Sequence, residues 1–228
     1  MYNYIKNGLY VIPLFPILHY TSNDLFLSTI ICLKLFSANF WYYYSHLYNY
    51  NIPRKYNVLK QFIRLTDTGH LVSFVYYFNP AFFPVAFNVH FIISFAYWLT
   101  TLLFGMEDVD NATDSSMIMP AHNTFCALNH GFPLLLLIVK MSNDPDVCVN
   151  CFNEQSLYYT QLWLYSWLFF IYIPWRVITN DPVYSILEGN TFMKLLYKIP
   201  IVILVVSLAT VANYSGSYLS GFFENLLY

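Results

Sequence analysis

Histidine and threonine together can run an acyl transfer: the imidazole takes a proton near neutral pH, and the hydroxyl becomes a nucleophile on losing one. This sequence places such residues in an unlikely setting. From Met119 to Val139 it reads as one apolar run, yet the first half gathers His122, Asn123, Thr124, Asn129 and His130. Asn129-His130-Gly131 lies near the centre of that run, and Pro133 lacks the N–H that would bond the carbonyl one turn earlier. On a helix His122 and His130 fall about 80° apart, so one polar seam could hold both. Ionisable groups at membrane depth are costly and mark function by default. A histidine satisfied by a neighbouring helix is the plainer alternative, and composition alone favours it.

The elements that must position these residues are membrane helices. The chain is 58% hydrophobic and 10% charged, against roughly 25% charged in ordinary soluble domains. Aromatics reach 21%, and Tyr and Trp suit bilayer interfaces. A span needs roughly 20 apolar residues; on that criterion spans fall near 7–21, 25–47, 80–104, 117–140, 157–177 and 197–222. The expected fold is all-α, a polytopic membrane helix bundle of about six transmembrane helices, in a single integral membrane domain over residues 1–228. The first span, with Pro13 and Pro16, is short and bent and stays in the protein. Gly69 to Asn79 is apolar but short, and reads as an interfacial helix or an early extension of the third span. Other polar residues inside spans are Thr29, Lys34, Asn39, Asn88, His90 and Asn213.

Charge suggests an orientation. Residues 49–66 carry Arg54, Lys55, Lys60 and Arg64, while the next connection carries Glu107, Asp108, Asp110 and Asp114. The positive-inside rule puts the first in the cytosol and the second across the membrane, leaving both termini cytosolic. Asn111-Ala112-Thr113 in the acidic connection is a glycosylation candidate. Arg176, Lys194 and Lys198 fall on the wrong side of this scheme. Cys148-Val149-Asn150-Cys151 is a lone CxxC, read as a chance pairing or a local disulfide; no metal site is expected. The net charge of −2 argues against a nucleic-acid partner.

Three stretches resemble the androgen-induced family of multipass membrane hydrolases. Leu128-Asn129-His130-Gly131, with its aliphatic run to Lys140-Met141, is similar to the family's central LNHG-type segment. Phe95-Ala96-Tyr97-Trp98 resembles its tryptophan-bearing span, and Leu27-Ser28-Thr29-Ile30-Ile31-Cys32-Leu33 resembles the span that supplies its nucleophile. The resemblance implies a threonine hydrolase acting on fatty acid esters of hydroxy fatty acids, with Thr29 as nucleophile and His130 as base. It implies the endoplasmic reticulum membrane as location, a lipid-ester substrate as partner and no cofactor. Animal members carry a second histidine after the LNHG motif, and that one is catalytic; here Phe132-Pro133 follows instead. Two alignments therefore stay open: one leaves the base missing, the other puts His130 on the catalytic position through a fungal-type His-x-x-Pro pattern. Asn129 or the backbone at Gly131 would serve the oxyanion. Counted from the non-cytosolic face, Thr29 lies about 4 residues into its span and His130 about 13 into its own, a difference in depth of roughly 13 Å. A non-catalytic scaffold or regulator of the same fold is the alternative function, and a small transporter a weaker one.

Overall fold

A computed structural model describes residues 11–22, 24–44, 59, 62–104, 115–148, 150–180 and 199–227. All regular structure in them is helical. We label the helices α1 (Val11–Ser22), α2 (Leu25–Tyr44), α3 (Leu65–Phe78), α4 (Phe83–Phe104), α5 (Ser115–Asn143), α6 (Glu154–Ser166), α7 (Ile173–Thr179) and α8 (Ile199–Leu227). A π-helical stretch, Trp167–Tyr172, joins α6 to α7 into one rod. Four segments are long and apolar enough to cross a membrane: Pro80–Leu103, Thr124–Asn143, Glu154–Thr179 and Ile203–Leu226. Leu25–Ala38 is a shorter apolar helix. The protein is an all-α membrane bundle; four of the six spans expected from sequence coincide with these long apolar segments, the one at 25–47 with the shorter apolar helix, and the first with α1 over its described residues.

α3 was not expected in this form. It is neither interfacial nor the start of α4, but a separate 14-residue helix whose Thr66, Asp67, Thr68, Gly69, His70, Val72, Ser73 and Tyr76 are all buried. The turn that separates it from α4 is local chemistry. Asn79 is extended, its side chain accepts from the Ala81 N–H at 3.2 Å, and Pro80 opens a short 3-10 turn. Pairing across that turn is antiparallel: Tyr76 rests on Phe83 with ring centroids 5.3 Å apart. A turn and a half further on, Ser73 meets His90, and a Cβ at Gly69 would press on Ile93 and Val89. Glycine there lets α3 lie close against α4.

Contacts fix the remaining directions. Lys34 and Ser37 reach Asp67 near the start of α3, while Phe26 meets Tyr76 near its end, so α2 is antiparallel to α3 and parallel to α4. Tyr97 stacks on His130; Phe83 and Phe87 pack on Phe152, just beyond the end of α5. α5 therefore runs against α4, and against α2. Asn213 bonds Asn88 at 3.0 Å, and the Ser220 hydroxyl bonds the Cys148 carbonyl at 2.8 Å, so α8 also descends. The ends flanking residues 45–64 and 105–114 thus lie at one end of the bundle, not at opposite ends as the charge argument supposed. The Asn111 sequon itself lies outside the described residues.

The core follows this packing. Phe26, Ile30, Val72, Phe83, Phe87, Val89, Leu137 and Met141 form its main cluster, and Ile92, Leu164, Leu208, Ala209 and Ala212 a second. Gly216 is buried where a Cβ would fall inside the Phe152 ring surface, so glycine is what lets α8 seat on that ring. Asn153 caps α6 through a reciprocal capping box with Ser156. Cys148 and Cys151 are joined as a local disulfide in the connection before it.

Candidate active site

Polar side chains enter the interior in two groups. The first is knitted together by hydrogen bonds, with Asn88 Oδ1 left without a partner among the described residues. Asn88 donates to Thr160 and to Asn213, both at 3.0 Å, and Ser156 donates to Asn213 at 2.7 Å. This ties α4, α6 and α8 together and reads as bundle glue. The second group is centred on α3. Asp67, His70, Ser73 and Tyr76 recur every third residue, so each lies about 60° round from the next and the row winds half-way round that helix, all of it buried. Sequence reasoning missed His70 and Ser73; the three-residue spacing was the signal that could have found them.

Ser73 Oγ lies 2.7 Å from His90 Nε2. Both side chains are buried. The same hydroxyl also reaches the Gly69 carbonyl at 3.3 Å, the ordinary back-bond of a helical serine. With the shorter contact taken by Ser73 O–H as donor, His90 Nε2 holds the lone pair that a general base uses. The His70 ring sits 5.8 Å from that of His90. The Asn129 backbone carbonyl, which Pro133 leaves without its helical donor, is near enough to His70 to act on its ring, although neither ring nitrogen meets it in bonding geometry.

At the end of the bundle near the start of α3 the zone is closed by an ion pair. Lys34 Nζ is 3.1 Å from Asp67 Oδ1 and 3.3 Å from the Asp67 carbonyl, with Ser37 contributing at 3.4 Å and the Phe62 ring centred 5.5 Å from the ammonium. Lys34 is thus a partnered interior charge.

The sequence-derived residues divide. Thr29 is buried, and its hydroxyl has no partner among the described residues. His130 Nδ1 contacts the Cys126 carbonyl of its own helix at 2.6 Å, its ring lies flat on Tyr97 at 4.0 Å, and its carbonyl accepts from Ser94. The supposed difference in depth disappears. Phe36 and Phe125 meet with tilted rings, centroids 4.8 Å apart, and in antiparallel helices Thr29 and His130 lie about 10 and 8 Å from that contact in the same direction. The two are nonetheless not hydrogen-bonded, because His130 turns toward α4. Asn129, four residues after Phe125, shares the α2-facing side of α5; it is buried with Oδ1 unpartnered. Gly131 faces α4, where the Trp98 indole nitrogen is 3.5 Å from its Cβ position. The side chains of His122 and Asn123 lie outside the described residues.

Compared with protein-family models, curated proteins and solved structures, the chain matches none. Any functional reading therefore stands on the residues themselves. Among the described residues no three His, Cys, Asp or Glu side chains group to hold a metal. What the arrangement offers is hydroxyl and imidazole chemistry inside an apolar bundle.

Proposed function

We propose that the chain is a multipass membrane enzyme that hydrolyses lipid esters within its helix bundle, by a hydroxyl nucleophile activated by histidine. The observation that carries this reading is the buried Ser73–His90 contact of 2.7 Å. It has the separation a nucleophile–base pair requires, in a zone where a lipid could arrive between helices.

The chemistry runs in two halves. Ser73 Oγ attacks the ester carbonyl carbon as its proton passes to His90 Nε2. The tetrahedral intermediate collapses, His90 returns the proton to the departing alkoxide, and an acyl-serine remains. Water then attacks that acyl group with His90 again taking the proton, and the acid leaves. Asn129, whose side chain sits in the same zone, is the candidate donor to the oxyanion. Gly131, turned to α4, is less suited to that part.

A second reading keeps the roles that the family resemblance assigns, with Thr29 as nucleophile. The unpartnered Thr29 hydroxyl favours it. His130 would have to rotate off Tyr97 to serve as its base; His90, which packs edge-on against Phe26 one turn before Thr29, is the nearer candidate. The resemblance supplies the substrate class, fatty acid esters of hydroxy fatty acids, and the endoplasmic reticulum membrane as location. Reconstituted in liposomes, the wild type should hydrolyse such an ester, and Ser73→Ala and His90→Ala should each lose about 100-fold or more. Hydrolysis unchanged in both variants would refute the pair; a wild type without hydrolysis would favour the non-catalytic scaffold.

A further inference from the structure

Five buried polar atoms in this zone have no protein partner among the described residues: His70 Nδ1 and Nε2, His90 Nδ1, Asn129 Oδ1 and Thr29 Oγ. They belong to side chains that are all at least nine-tenths buried. A neutral imidazole carries one N–H and one lone pair, so His70, with only the Asn129 carbonyl near its ring, leaves at least one hydrogen bond unmade. Native interiors pair roughly 90% or more of such groups, using ordered water where protein groups fall short. In the neighbouring Asn88–Asn213–Ser156–Thr160 network one atom, Asn88 Oδ1, lacks a partner, against five in this zone.

The geometry points to a buried water site organised by His70, bounded by His90, Asn129 and Thr29, that feeds water to the reacting ester and carries the released proton out toward Asp67. Two imidazoles, an amide oxygen and a hydroxyl offer both donors and acceptors, which suits water. Asp67 lies one turn from His70 on the same face of α3, and its partner Lys34 is 15% exposed. The route out of the zone therefore ends at the ion pair. Each turnover consumes one water and yields an alcohol and an acid. The acid's proton is taken up at one His70 nitrogen and given up from the other, and leaves along water to the Lys34–Asp67 end. The use of this water rests on the hydrolase reading; its presence does not.

Two measurements on the full chain in liposomes test the site. Wild type held in deuterium oxide should exchange the ring C2 hydrogen of His70 within about tenfold of the rate at exposed His19, read by peptide mass spectrometry. His70→Cys should react with a small charged methanethiosulfonate at least about tenfold faster than Val72→Cys on the dry side of α3, with the adduct located by mass so that Cys32 and Cys126 are read apart. Where the cysteine variant does not fold, the wild-type exchange decides. A protected His70 ring overturns the proposal, whatever the turnover. Exchange at His70 in a protein without ester hydrolysis supports the water site and removes the hydrolase reading. With hydrolysis present, His70→Phe should lower kcat about tenfold or more at near-constant KM; an unchanged kcat overturns the supply role.

Discussion

The residues that matter most here are small, and their partners distinguish scaffold from site. Asn88, Asn213, Ser156 and Thr160 bond to one another, so Asn213→Leu strands buried groups on α4 and α6. It should cost about 1–3 kcal/mol, measured as a lowered unfolding midpoint in detergent, with little change in any hydrolysis. Gly216→Val should cost a similar amount, about 1–3 kcal/mol, because the Phe152 ring it would strike is itself wedged between Phe83 and Phe87. Thr29, His90, Asn129 and His130 could be picked from the sequence, since each interrupts an apolar run. What they do could not, because partner choice depends on helix rotation. His130 turns to Tyr97 and His90 turns to Ser73, and nothing in the local sequence distinguishes these outcomes.

At the scale of elements, α3 was the part the sequence hid. Hydropathy finds helices that lipid must solvate, whereas a helix enclosed by other helices can be polar wherever they supply partners. α3 is such a helix, with Asp67 held by Lys34 and Ser37 from α2 and Ser73 by His90 from α4. Its Thr and Asp residues made its first turn resemble the tail of a basic loop. The clamp can be tested by charge. Lys34→Met leaves the Asp67 carboxylate buried without its cation and should destabilise by about 3–5 kcal/mol. The double variant Lys34→Met/Asp67→Leu should recover most of that loss. Equal loss in single and double variants, by denaturation in detergent, would mean that the ion pair does not hold α2 on α3.

For the whole molecule, adding α3 reverses the path of everything after it. Helix ends flanking residues 45–64, 105–114 and 181–198 come together at one end of the bundle. In sequence those connections carry Arg54, Lys55, Lys60, Arg64, Lys194 and Lys198 with Glu107, Asp108, Asp110, Asp114, Asp181 and Glu188, and Arg176 lies in the helix that ends there. The other end carries Lys140 with Asp24, Asp144, Asp146, Glu154 and Glu224, and the Cys148–Cys151 disulfide. The basic residues that contradicted the six-span scheme now agree with the rest. On the positive-inside rule the basic end is expected in the cytosol and the disulfide end across the membrane, in a compartment where a disulfide can form. Two results are expected: no glycan at Asn111, read by glycosidase digestion, and modification of Asp108→Cys and Glu154→Cys by an impermeant reagent from opposite faces. A glycosylated Asn111 would restore the six-span orientation.

The central claim is that a hydroxyl inside this bundle is acylated during turnover. The most direct measurement is the position of the adduct left by a fluorophosphonate probe on wild-type membranes, located by peptide mass spectrometry. An adduct on Ser73, absent from His90→Ala, is the expected result. An adduct on Thr29 would keep the enzyme and move the nucleophile to α2. Absence of an adduct at either hydroxyl, in membranes that also leave a fatty-acyl ester intact, would contradict the claim.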